Sequence, residues 1–443
     1  MARQCPFAVK GNGAAQYRKL PSAGASRHQF ARSRTLVAYA GLAIWLAAWL
    51  GRRAGLGQAA YAVASTLGGV LLLMAAGAVA GGWLYGRARR AVLQRRYRAA
   101  GTPGERHAHG PGLLAVRVMT VTGSAGCAAV LIRGRDGPAD LDVVSSASGR
   151  SGRPGLAITR DTRFEIGSVT KVFTGLVLAD MVVRGQTELD VTLGTLLGLP
   201  ARAGGKITLR SLATHTSGLP RLAPSLRMKA RVLTAHADPY RDIDLAHVIA
   251  ALTRNPPAEP GAFHYSNLGY QLLGAALAAA AGLSWPDLLW QRICRPLGMT
   301  ATGIEPDRST ARGHDRAGLP VPYWDSAQLP AAGALLSSVA DLEKFLRAQL
   351  DPASTEFGAA IRLSRVCHTA DLAVRPAGLG WMLDTTAGTN LAWHNGGTGG
   401  FRAILAVTDR PGRPAGAAIL TNSAAAIALD TVAREMLTRL PDD

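Results

Sequence analysis

Residues 163–185 read R-F-E-I-G-S-V-T-K-V-F-T-G-L-V-L-A-D-M-V-V-R-G. From Ser168 onward the run is almost wholly apolar and stops at Gly185, which predicts a helix buried on most faces and ended by glycine. Ser168 stands at its start. Lys171 follows three residues later, so on a helix its amine lies one turn along on the same face, within reach of the serine hydroxyl. Backbone N–H groups and the positive end of the helix dipole favour an anion at that point. Chemically the pair is a nucleophile beside an amine that takes its proton once burial lowers the amine's pKa. Arginine cannot do this. Among 49 basic residues only Lys10, Lys19, Lys171, Lys206, Lys229 and Lys344 are lysine, so a lysine kept inside an apolar helix is hard to read as a solubility residue. Chance alone supplies about 0.3 such Ser–Lys spacings in a chain of this make-up, so the pair needs support from elsewhere.

Working outward, residues 260–270 (P-G-A-F-H-Y-S-N-L-G-Y) open a second apolar helix, predicted from Leu268 to Ala281 and stopped by Gly282. Tyr265 there relays or accepts a proton if a cation lowers its pKa, and Asn267 hydrogen-bonds both a substrate amide and Lys171. Residues 391–408 (L-A-W-H-N-G-G-T-G-G-F-R-A-I-L-A-V-T) form two β-like runs around His394, Asn395, Gly396 and Gly397. Glycines at 396 and 397 let a substrate backbone lie against a strand and leave an N–H for an oxyanion. His394 adds a polar edge. Upstream, residues 113–121, 127–133 and 140–144 read as opening strands of an antiparallel sheet, separated by glycine-rich turns.

The charge of the whole chain, +20, is uneven: no Asp or Glu precedes Glu105, and the first basic residues bracket apolar runs rather than interleaving with aromatics. Nucleic acid is therefore not expected as a partner. Residues 35–51 and 54–86 carry no charge, and as helices they form a transmembrane hairpin that contacts membrane lipid. The expected organisation is a basic tail (1–34), two transmembrane helices (35–86), a juxtamembrane linker (87–112) and a soluble domain (113–443). A cell-membrane location with two spans follows, and the basic flanks favour a cytoplasmic soluble domain, although large domains translocate whatever their local charge. Four cysteines stand singly with no ligand spacing, so neither a metal nor an organic cofactor is expected.

Three motifs in the order S-x-x-K, Y-x-N, H-x-G resemble the serine β-lactamase-like family, in its class C β-lactamase, D-peptidase and esterase branch, which includes the penicillin-binding-protein-like serine hydrolases. The resemblance covers about residues 113–430, and residues 207–220, 285–299 and 333–342 look like family segments around the site. It implies an α/β (α+β) fold: an antiparallel sheet flanked by the first and last helices, with an inserted all-α lobe at about 187–328. It further implies Ser168 as acyl-accepting nucleophile, Lys171 and Tyr265 sharing the base work, Asn267 holding the substrate amide and His394 assisting. The N–H groups of Ser168 and Gly397 are the implied oxyanion hole, with Gly396 beside them. His215, in H-T-S-G, reads as a structural loop residue. The family also favours an extracytoplasmic site.

The sequence departs from the family in two places. His394 replaces the lysine usual in true β-lactamases, which points to esters, D-amino-acid peptides or amides rather than to efficient β-lactam hydrolysis. Residues 134–160 are looser than the usual opening strands. The function expected is thus a membrane-anchored serine hydrolase acting on a small-molecule or peptide substrate through an acyl-enzyme. A sensor that stays acylated, and an acyl transferase or peptide cyclase, use the same residues and stay open. The sequence gives no reading of oligomeric state.

Overall fold

The computed structural model describes residues 126–134, 137–138, 140–223, 240, 244–254, 259–325, 329–369, 375–384, 390–409, 413–426 and 429–438. The expected tail, transmembrane hairpin and linker, and the strand at 113–121, lie outside them. Among the described residues no single helix is long and apolar enough to cross a membrane.

Strands β1 (Gly126–Gly134) and β2 (Leu141–Gly149) pair antiparallel over nine residues, from Gly126 opposite Gly149 to Gly134 opposite Leu141. The loosely patterned opening segment therefore keeps full register. β3 (Arg163–Glu165) and β4 (Leu336–Ser338) form a separate two-stranded pair. β5 (Met382–Asp384), β6 (Leu391–Gly397), β7 (Arg402–Thr408) and β8 (Ala415–Thr421) complete a wholly antiparallel sheet of order β2-β1-β8-β7-β6-β5.

The helices are α1 (Thr170–Val183), α2 (Leu193–Leu197), α3 (Ala201–Gly204), α4 (Leu209–Ala213), α5 (Leu245–Arg254), α6 (Asn267–Ala281), α7 (Trp285–Leu289), α8 (Val339–Leu350), α9 (Gly358–Arg365) and α10 (Leu429–Thr438). Side chains of β1 alternate across the sheet. Cys127, Ala129 and Leu131 share one core with Leu429, Ala433 and Leu437 of α10. Ala128, Val130 and Ile132 join the other, with Leu342, Phe345 and Leu346 of α8. Burial on both faces explains why β1 reads as a continuous apolar run although its sheet is antiparallel. The resemblance placed the first helix on one face. Among the described residues the helix opposite α10 is α8, which arrives late in the chain after β4.

Between β3 and β4 the regular elements α2 to α7 are all helical, in keeping with an inserted helical lobe. The long helices end as their sequence predicts. Gly185 adopts φ +68°, and the N–H of Gln186 closes α1 on Met181 O at 2.8 Å. Gly282 does the same for α6 at φ +63°, with Leu283 N bonded to Ala278 O at 3.2 Å. Both are left-handed glycine caps that satisfy otherwise orphaned carbonyls. One boundary differs from expectation: Ser168 lies in a 3₁₀ turn, Gly167–Val169, and α1 proper begins at Thr170.

Candidate active site

Ser168, Lys171, Tyr265, Asn267, His394 and the backbone of Gly396 and Gly397 converge where the 3₁₀ turn, α1, the start of α6 and the end of β6 meet. Lys171 is fully buried, and its Nζ donates to Asn267 Oδ1 at 2.8 Å and to the Ala332 carbonyl at 2.5 Å and lies 3.0 Å from Ser168 Oγ, within hydrogen-bond distance. None of these partners is a carboxylate. Burial, and then the charge of Arg221, holds the amine well below the usual lysine range. A neutral amine has two N–H groups and one lone pair. The two carbonyl oxygens take the N–H groups, which leaves the lone pair for the Ser168 hydroxyl.

α6 supplies the second motif. Ser266 caps it by accepting from Gly269 N at 2.8 Å while donating to Pro220 O at 2.7 Å. This anchors Tyr265 and Asn267 on either side of the cap. Tyr265 hydrogen-bonds Ser168, and its ring centroid lies 5.1 Å from Lys171 Nζ. Burial pushes the Tyr265 phenol up to about 12, against its hydrogen bond with Ser168 and the charge of Arg221. Burial thus favours the neutral form of both groups, raising the phenol and lowering the amine. His215, read from the sequence as a structural loop residue, is buried at φ +62°, its Nδ1 accepts from Ser266 N at 3.0 Å, and its ring lies tilted 4.4 Å from that of Tyr265.

His394 and the two glycines are not in a hairpin loop. They lie within β6, where His394 pairs with Leu405 and Gly397 with Arg402, and the turn falls after them. Alternation sends Trp393 to the α10 side and His394 inward. His394 Nδ1–H donates to Asn395 O at 2.7 Å, and Nε2 has no partner among the described residues. Burial, then the charge of Lys171, pushes His394 down to about 3, against the bond to Asn395. The imidazole is neutral at physiological pH. It presents an acceptor, not a cation, close to Tyr265, whose ring lies 6.1 Å away.

A Beta-lactamase family model matches residues 117–436. The chain belongs to the beta-lactamase family. It is 30% identical over 341 residues to "Penicillin-binding protein 4" of Amycolatopsis lactamdurans, an alignment covering 68% of this chain and 83% of that protein. The "D-alanyl-D-alanine-carboxypeptidase/endopeptidase AmpH" of Escherichia coli (strain K12) is 34% identical over 168 residues, 37% of this chain and 41% of AmpH. "Esterase EstB" of Burkholderia gladioli is 30% identical over 195 residues, 42% of this chain and 49% of the esterase. Among solved structures, the octameric penicillin-binding protein homologue from Pyrococcus abyssi superposes with a TM-score of 0.61 at 26% identity, covering 73% of this chain and 75% of that one.

Within this beta-lactamase-family domain, Gly396 of β6 serves the protein's own backbone. A Cβ on Gly396 would stand 1.9 Å from Ile166 O and 3.2 Å from Ser168 N, so the strand can press against the 3₁₀ turn that carries Ser168 only without a side chain. Gly396→Ala is expected to push β6 away and lower ester turnover about 100-fold, with a stability loss of about 1–3 kcal/mol. Steady-state kinetics and thermal melting check both. An unchanged turnover would mean that this contact does not set the geometry of the site.

Sequence reasoning missed several neighbours. Tyr240, whose hydroxyl accepts from Asn267 Nδ2 at 2.6 Å, carries no local signal. Its ring packs 5.3 Å from Trp324. Glu165, three residues ahead of Ser168, accepts from Trp324 N and Thr398 Oγ1, both at 2.6 Å, and so ties the segment before Ser168 to the β6–β7 turn. The Ala332 carbonyl on Lys171 is a backbone group that no motif records.

Proposed function

We propose that the chain is a serine hydrolase that works through an acyl-enzyme on amides or esters, with D-amino-acid peptides and esters as the substrate classes. The observation that carries this reading is the buried, carboxylate-free Lys171 amine 3.0 Å from Ser168 Oγ. Ser168 Oγ attacks the carbonyl and its proton passes to Lys171 Nζ. The oxyanion is received by the N–H groups of Ser168 and Gly397. Tyr265, a neutral phenol bonded to Ser168, relays the proton to the leaving group, and water then reverses the sequence. Asn267 holds both the Lys171 amine and the substrate amide. A neutral His394 suits uncharged esters and amides better than the carboxylate of a β-lactam. The relatives described as a D-alanyl-D-alanine carboxypeptidase/endopeptidase and an esterase support these classes.

As part of the same reading, residues 35–86 tether the domain to a membrane, supported by two uncharged runs flanked by arginine. The test uses the full chain in detergent with a chromogenic short-chain ester and a D-alanyl-D-alanine peptide whose C-terminus is amidated, before and after fluorophosphonate treatment. Turnover of at least one substrate, lost in proportion to one-to-one phosphonate incorporation, is expected. Turnover that survives full labelling would refute the reading. An added amine that diverts product into a new amide would convert it to acyl transfer.

A further inference from the structure

A second cation sits against Tyr265. The guanidinium carbon of Arg221 lies 5.3 Å from the Tyr265 ring centroid. The side chain is exposed, and among the described residues no carboxylate pairs with it. Its backbone, in contrast, is fixed. Arg221 O accepts from Asn267 N at 3.0 Å and Leu268 N at 3.3 Å, and the preceding Pro220 O accepts from Ser266 Oγ at 2.7 Å. The N-terminus of α6 therefore positions both Arg221 and the tyrosine that it covers. A guanidinium over an aromatic face is attracted by the ring, and more strongly as the phenol gives up its proton.

We propose that Arg221 is a positioning residue for the proton-transfer pair: its fixed charge keeps the Lys171 amine unprotonated and eases proton movement through Tyr265. The inference rests on the acyl-enzyme reading. The groups facing the pair are Ser168 from the 3₁₀ turn, Asn267 and Tyr270 from α6, His215 from the loop after α4, the Ala332 carbonyl, His394 from β6, and Arg221. His215 and His394 are both held neutral by burial. Among the described residues, Arg221 is thus the permanent charge on the Tyr265 ring, 5.3 Å from its centroid, and Lys171 Nζ lies 5.1 Å from the same ring. It acts in the same direction on both, lowering the amine and the phenol. Arg375 stands further out, 5.9 Å from the Phe263 ring and 5.7 Å from that of Trp393, and acts on His394.

The sign follows. Without the cation, Lys171 holds its proton to higher pH, and so does Tyr265. Activity that needs the free amine then appears at higher pH. The test measures the pH dependence of kcat/KM for an uncharged chromogenic ester with full-length wild type, Arg221→Gln and Arg221→Lys, with thermal melts to confirm folding. In Arg221→Gln the acidic limb is expected to move up by about one pH unit, so that the defect is largest at low pH and shrinks as pH rises. Arg221→Lys restores most of the limb. An unmoved limb overturns the proposal. So does a defect equal at every pH that lysine does not rescue, which is a structural role. A defect confined to carboxylate-bearing esters also overturns it and makes Arg221 a substrate-binding cation. Absence of Ser168-dependent turnover in wild type is a different result, and refutes the underlying reading instead.

Discussion

Ser168→Ala is expected to lower kcat/KM for a chromogenic ester by at least about 10⁴-fold, because the covalent route disappears and only the oxyanion donors and binding remain. The fold is expected to survive. Lys171 keeps Asn267 Oδ1 and Ala332 O as partners, so losing one hydroxyl changes stability by about 1 kcal/mol or less. Ester kinetics beside a thermal melt separate the two effects. A variant that melts like wild type and still turns over ester at a tenth of its rate would show that Ser168 is not the nucleophile.

Lys171→Met removes the base and keeps most of the volume. A fall of about 10³-fold in acylation rate is expected, within the range of a positioned general base. Here stability also suffers, since Asn267 Oδ1 and the Ala332 carbonyl lose their donor in a buried place, at a cost of about 1–3 kcal/mol. Stopped-flow acylation and chemical denaturation measure these separately. Lys171→Arg is the sharper companion, because a guanidinium does not deprotonate. Acylation by a folded Lys171→Arg protein at the wild-type rate would assign the base elsewhere.

Much of this site is legible in the sequence because it sits at the ends of regular elements. The apolar run after Ser168 and the glycines at 185 and 282 mark α1 and α6, and these two helices bring Ser168, Lys171, Tyr265 and Asn267 together. What was misread depends on long-range packing. The 391–408 segment looks like two runs around a glycine loop, yet Gly396 is a strand residue whose missing Cβ admits Ile166 O. Glycine-rich composition does not distinguish a turn from a close strand contact. The helix opposite α10 likewise is set by where α8 packs. Tyr240 and Arg221 belong to no apolar periodic run in the sequence, and the Ala332 carbonyl on Lys171 is invisible to any reading of side chains.

The chemistry of His394 was legible only in part. The residue type signalled a departure from lysine, but its neutrality comes from burial, from Lys171 and from a β6 alternation that turns it inward. A histidine in an exposed loop would have titrated near 6.5 and supplied a cation under mildly acidic conditions.

The central claim is an acyl group on Ser168. Acid-quenching the full-length protein while it turns over a chromogenic ester, followed by peptide mass spectrometry, tests it directly. One added acyl mass is expected, confined to the peptide that contains Ser168 and absent from Ser168→Ala. Turnover with no acylated peptide, or with the acyl group on any other residue, would contradict it.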